Sequence, residues 1–204
     1  MATLLKIDAS PRGEYSVSLN LTGIFAETWL KSHEGSTVID RDLFKTELPF
    51  VDVPWIMGAY TPAEQHSEDT AKAIKISDSL VDEILAVDQV VIGTPMYNFS
   101  TPAILKAYID HLVRIGRTFT TSYEGLVTGK KLTIIVASGG VYTPGSYMEN
   151  YNAETGYLKQ IFGFIGFTDI NFVLAGGSNG INTGETTLEA LVDSFKAEVV
   201  AAAQ

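Results

Sequence analysis

Short apolar runs alternate with helical patterns along this chain, and that alternation constrains its fold more than any other feature. Residues 4–7, 37–40, 89–93, 132–136 and 170–174 read as strands. Between them, residues 17–31 place Val17, Leu21, Ile24 and Phe25 on one helical stripe. Residues 62–86 open with Pro62 and turn Ile74, Val81, Ile84 and Leu85 inward. Ser100 or Thr101 can cap a helix with Pro102 in its first turn and Ile104, Leu105, Tyr108, Ile109 and Leu112 along one face. Residues 154–165 and 186–203 read as the last two helices, and residues 44–61, with Pro49, Pro54 and Trp55, as an irregular loop. Strands joined by helices run parallel, because a parallel return needs a long crossover. The third to fifth strands are nearly continuous apolar runs, as suits strands covered on both faces. The expectation is one α/β domain over residues 1–204, a parallel sheet with helices on both faces. Ligands of such open sheets bind beyond the carboxyl ends of the strands, at the topological switch point.

Composition removes several chemistries. Cysteine is absent, which excludes disulfides, thiolate nucleophiles, iron–sulfur clusters and thiolate zinc sites. The three histidines, His33, His66 and His111, are not at helical ligand spacing, so no metal is expected. A net charge of −10 repels phosphate backbones, so nucleic acid is a poor partner. No run of apolar residues is long enough to span a bilayer, and the first ten residues carry Lys6 and Asp8. The chain reads as cytoplasmic, without a membrane partner.

Three loops at the expected strand ends carry candidate chemistry. The first is Asp8-Ala9-Ser10-Pro11-Arg12-Gly13-Glu14-Tyr15-Ser16-Val17-Ser18, which opens a helix. Helix N-terminal N–H groups attract an anion, Ser10, Ser16 and Ser18 add hydroxyl donors, and Arg12 offers a countercharge. The loop suits a phosphate monoester; it also suits a plain N-cap at Ser16. It has neither G-x-G-x-x-G nor a P-loop, which favours a mononucleotide over a pyrophosphate. The second is Pro95-Met96-Tyr97-Asn98-Phe99 followed by Ser100-Thr101-Pro102. Tyr97 and Phe99 can flank a planar ring and Asn98 can address its heteroatoms; the same residues would serve a stiff loop capping the core. The third is Ser138-Gly139-Gly140-Val141, where paired glycines let N–H groups approach a ligand or simply make a turn.

Other constellations are weaker. Gly176-Gly177-Ser178-Asn179-Gly180 matches the G-x-S-x-G elbow, but no histidine follows Ser178 and its strand should lie at an edge. His111 reads as a surface or helix-packing residue, and Asp40 and Asp42 as surface charge flanking Arg41.

The motifs Ser10-Pro11-Arg12, Ser16-Val17-Ser18, Pro95-Met96-Tyr97-Asn98-Phe99 and Ser138-Gly139-Gly140 resemble those of FMN-dependent NADH-azoreductases, the flavodoxin-like quinone and azo-dye reductases. The runs Gly125-Leu126-Val127-Thr128-Gly129-Lys130-Lys131 and Phe162-Gly163-Phe164-Ile165-Gly166 are also similar. The resemblance implies a flavodoxin-like three-layer sandwich with strand order 2-1-3-4-5. It implies that Ser10, Ser16, Ser18 and the N–H of Val17 hold the FMN phosphate. Met96, Tyr97, Asn98 and Phe99 would line the isoalloxazine, and Ser138, Gly139, Gly140 and Val141 its other edge. Asn98 would be positional, with no side-chain nucleophile or base. The implied reaction is a two-electron, ping-pong transfer from NADH or NADPH to quinones and aromatic azo compounds. A homodimer with FMN at the interface is implied too, with residues 44–61 and 119–125 shaping the substrate pocket. A flavodoxin-like electron carrier and a flavin reductase that supplies reduced FMN to a partner are the alternatives.

Overall fold

The computed structural model describes residues 1–204. The strands β1 (Thr3–Asp8), β2 (Thr37–Asp42), β3 (Gln89–Pro95), β4 (Lys131–Ala137) and β5 (Asp169–Ala175) form one sheet of order β2-β1-β3-β4-β5, parallel throughout. This is the expected order. The chain reverses its direction of strand addition between β1 and β3, which makes the carboxyl ends of those two strands the switch point. Register sets Asp8 beside Gly93, and Pro95 beside Ala137 beside Ala175. The loops leaving β1, β3, β4 and β5 therefore emerge along one edge of the sheet.

The chain forms seven helices: α1 (Val17–Ser32), α2 (Val53–Tyr60), α3 (Glu68–Ala86), α4 (Ala103–Leu112), α5 (Ala153–Ile165), α6 (Asn179–Thr183) and α7 (Leu188–Ala202). All but α2 and α6 cover the sheet. The pleat sends alternate strand residues to opposite layers. Leu5, Ile7, Val90, Ile92, Ile134 and Val136 meet Leu80 and Ile84 of α3, Leu105 and Tyr108 of α4, and Leu158 and Phe162 of α5. Leu4, Val91, Ile135 and Val173 meet Leu21, Phe25 and Trp29 of α1 and Val199 of α7. The result is the expected three-layer sandwich.

Two boundaries differ from the sequence reading. Residues 44–61 are not irregular throughout. Asp52 Oδ1 accepts the Trp55 N–H at 2.9 Å and caps α2, and Pro54 lies in the first turn, where its missing N–H costs nothing. The helix expected from residue 62 begins at Glu68, capped by Ser67, and Pro62 instead precedes a single 3-10 turn. At the end of α5, Gly166 has φ 122°, and a Cβ there would lie 2.8 Å from Val127 N. That close approach lets Val127 N donate to Ile165 O at 2.8 Å and seats residues 125–127 on the helix end.

Candidate functional site

The β1–α1 loop turns through a 3-10 segment, Gly13–Tyr15, before α1 begins. Ser16 is extended (φ −90°, ψ 123°), and its Oγ accepts the Leu19 N–H at 3.3 Å. The N–H groups of Val17 and Ser18 have no partner within the chain and mark the positive end of the helix dipole. Ser10 Oγ accepts the Arg12 N–H at 3.4 Å. Ser10, Arg12, Ser16 and Val17 together form one wall of a cleft of about 260 Å³. Ser18 does not reach that wall. Its hydroxyl is fully buried, 3.2 Å from that of Ser16. Below, Asp8 is bonded to Thr22 Oγ1 and Lys6 Nζ, each at 2.7 Å. Burial raises its carboxyl above the usual range, and Lys6 and Thr22 oppose that rise. Lys6 also pairs with Asp40, and Arg41 with Glu83, so the exposed Asp40 is surface charge, as expected, held in an ion pair.

Pro95, Met96 and Tyr97 form the second wall. Beyond them Tyr97 and Ser100 exchange two backbone bonds, at 2.9 and 3.0 Å, around Asn98 (φ 49°) and Phe99 (φ 70°). Two successive positive φ values are the signature of a type I′ turn. Without glycine they are strained, costing on the order of 1 kcal/mol or more each. The turn is held by Phe99 O, which accepts the Ala153 N–H of α5 at 3.0 Å. The Phe99 ring packs on Tyr151 and Tyr142, at 5.4 and 6.3 Å between centroids, and does not line the cleft. The Asn98 side chain lies outside the lining as well and makes no hydrogen bond within the chain.

Ala137 and Gly139 supply the third wall. Ser138, buried, folds its hydroxyl back to Gly140 O at 2.9 Å. The N–H groups of Gly139 and Gly140 have no partner within the chain. A Cβ on Gly139 would come within 2.7 Å of Asn179 Oδ1, so a larger residue there would push the Asn179 side chain aside. Val141 is exposed, beyond the cleft.

The fourth wall was not anticipated as part of the site. Ser178 N donates to Ser138 O, Asn179 N to Gly139 O and Gly177 N to Gly140 O, at 3.0 to 3.2 Å. These bonds clamp the β5–α6 loop onto the glycine loop and bring Ser178, Asn179 and Asn182 into the cleft. Ser178 has no base: β5 is an edge strand, and His111 is buried far along the chain in another contact. His111 Nδ1 accepts the Trp55 Nε1–H at 3.0 Å, which assigns its proton to Nε2, 2.9 Å from Pro49 O. It is a packing histidine, and burial lowers its pKa. No group of three or more His, Asp or Glu side chains is placed to hold a metal ion. No helix is long and apolar enough to cross a membrane.

A family model described as a flavodoxin-like fold matches residues 2–199. An FMN-dependent NADH:quinone oxidoreductase of Burkholderia lata is 45% identical over 203 residues, covering all of this chain and 97% of that protein. A second protein so named, from Jannaschia sp., is 43% identical over the whole of both chains. The chain belongs to this flavodoxin-like oxidoreductase family. The crystal structure of an azoreductase from Bacillus anthracis superposes with a TM-score of 0.87 at 32% identity, covering 100% of this chain and 99% of that one. The family resemblance carried by the serine, aromatic and glycine motifs is thereby borne out, together with the fold. Within the family fold, Ser10, Ser16, Val17, Met96, Tyr97 and Gly139 are brought together at one cleft. Ser18, Asn98, Phe99, Ser138, Gly140 and Val141 stand in the same three loops but outside its lining.

The donors fit a flavin mononucleotide. Ser10, Arg12, Ser16 and Val17, whose N–H has no partner within the chain, line one wall and are donors of the kind a phosphate takes. Tyr97 and Met96 offer an apolar wall beside it, and Gly139, whose N–H has no partner within the chain, lines the wall across from it.

Proposed function

We propose that the chain is an FMN-dependent NADH:quinone oxidoreductase of one domain, residues 1–204, which also reduces aromatic azo compounds. The observation that carries this reading is the convergence of a serine-lined helix N-terminus, Met96 and Tyr97 at the start of the aromatic turn, and Gly139 with its unpartnered N–H on one cleft. When bound, FMN supplies the two-electron chemistry between a nicotinamide donor and the acceptor. The chain itself binds and orients. Ser10, Ser16 and the N–H of Val17 and Ser18 take the phosphate, with Ser18 supporting Ser16 from behind. Met96 and Tyr97 support one face of the ring, and Asn98 positions its polar edge from the turn. Gly139 and Gly140 donate N–H groups toward developing negative charge, with Ser138 holding the Gly140 carbonyl aside and Val141 closing the loop.

With Pro95, Met96 and Tyr97 against one face, donor and acceptor share the other in turn, so the kinetics are ping-pong. Double-reciprocal lines for NADH and a quinone should be parallel, and intersecting lines would refute the shared opening. Stoichiometric FMN binding with NADH-dependent quinone turnover tests the reading as a whole. Binding without turnover would leave the electron-carrier alternative.

The same reading includes a homodimer. Phe44, Phe50, Ile56, Met57 and Tyr60 are exposed on the segment around α2. Phe44, Phe50 and Tyr97 line an apolar groove of about 370 Å³ with Pro102 and Ile104. A contiguous apolar surface of this kind is best covered by a second copy, placing the FMN cleft at the interface. Light scattering that gives a monomer mass in fully active protein would refute it. NADH is an intracellular reductant, so the reading places the enzyme in the cytoplasm.

A further inference from the structure

Glu154 lies in the first turn of α5 and is 0% exposed. One carboxyl oxygen, Oε1, is 3.1 Å from Thr94 Oγ1, and the other, Oε2, is buried without a partner. Thr94, also 0% exposed, belongs to β3, and its Oγ1 is 3.3 Å from the carbonyl oxygen of Pro95. That carbonyl and the Met96 N–H are two ends of one peptide. The N–H end donates to Ala137 O at 2.8 Å. Pro95, Met96 and Ala137 all line the cleft. α5 is also tied to the aromatic turn through Ala153 N and Phe99 O.

Thr94 has one hydroxyl hydrogen and two acceptors in reach. We propose that Glu154, as the neutral acid, is a positioning residue: it donates its proton to Thr94 Oγ1, so that Thr94 donates to the Pro95 carbonyl and fixes the Pro95–Met96 peptide from both ends. The inference rests on the proposed function only in assigning FMN to that cleft.

The ionised acid would undo the arrangement. A carboxylate is a stronger acceptor than a peptide carbonyl, so Thr94 would turn to it and release Pro95. Oε2 would then share a buried negative charge with nothing to compensate it. Burial holds the proton on, raising the carboxyl pKa to about 8, and the Thr94 hydroxyl is the one group that opposes this. No cation or carboxylate from β3, β4, α4 or α5 bears on it. The peptide at the cleft is therefore set at neutral pH and loosened in mild alkali.

The test is FMN affinity, read by quenching of flavin fluorescence from about pH 7 to about pH 9.5. The wild-type affinity should fall about fivefold or more through that range, one hydrogen bond being lost. Glu154→Gln, whose amide donates as the neutral acid does, should keep the neutral-pH affinity throughout. Thr94→Val should bind weakly with no such pH dependence. Identical pH profiles for wild type and Glu154→Gln, or an undiminished profile in Thr94→Val, would overturn the proposal. If Glu154→Gln does not fold, the Thr94→Val comparison decides alone. If FMN binds at no pH, the functional reading fails, and the relay is read in the protein without ligand. The carbon-13 carbonyl shift of labelled Pro95 should then titrate in wild type and not in Thr94→Val; a shift that does not titrate overturns the relay.

Discussion

Replacing Glu154 by Gln should change how stability depends on pH, and the structure sets the sign. The native state holds this proton up to about pH 8, whereas the ordinary carboxyl value is 4.5. Between those values the native state binds more protons than the unfolded chain, so stability falls as pH rises and levels off above about 8. This is the reverse of a salt-bridged carboxylate. At about 1.4 kcal/mol per unit, the full window is worth on the order of 5 kcal/mol. Roughly 3 kcal/mol of it falls between about pH 5 and about pH 7.5, where measurement is convenient. Glutamine has nothing to titrate. Urea unfolding at those two pH values should therefore show the variant gaining about 3 kcal/mol on the wild type as pH rises. Asp8 and His111 titrate in both proteins, so their effects cancel in the difference. Parallel stability curves would show that Glu154 is ionised in the native protein and that the argument from its burial is wrong.

Ser16→Ala combined with Ser18→Ala should weaken FMN about tenfold or more, as loss of the one charge-assisted bond from Ser16 and of its support by Ser18 requires, and titration checks it; the lost cap of α1 should also lower stability by about 1 kcal/mol. Gly166→Ala forces a Cβ to within 2.8 Å of Val127 N at a φ that alanine rarely adopts, so thermal unfolding should show a loss of about 3 kcal/mol. Trp55→Phe leaves buried His111 Nδ1 without its donor, costing about 1–3 kcal/mol, and limited proteolysis should cut residues 44–61 faster. Because burial lowers the His111 pKa, its contribution to stability is present above the unfolded value near 6.5 and lost as pH falls below it.

The central strands were legible because doubly covered strands are apolar along nearly their whole length, and 89–93 and 132–136 are so but for Gln89 and Thr133. α2 was not, because Pro49 and Pro54 look like breakers; the cap at Asp52, two residues before Pro54, was the signal that could have revealed it. Ser10, Ser16, Met96, Tyr97 and Gly139 were legible because each follows a strand that the pattern had already placed. Ser178, Asn179 and Asn182 reach the cleft only through backbone bonds between the loops after β4 and β5, a contact no local pattern encodes. Ser178 drew notice for its glycine neighbours alone. Glu154 looks in sequence like any acid favoured in the first turn of a helix. Its burial beside Thr94 is tertiary, set by how α5 docks on β3.

The central claim is that the cleft beyond β1, β3 and β4 grips FMN by its monophosphate. Binding of FMN, riboflavin and FAD to the purified chain under one set of conditions tests this most directly. FMN should bind one per chain, about a hundredfold or more tighter than riboflavin, which lacks the phosphate, and tighter than FAD, whose pyrophosphate exceeds the serine loop. Equal affinity for FMN and riboflavin, or FAD bound as tightly as FMN, would contradict the account.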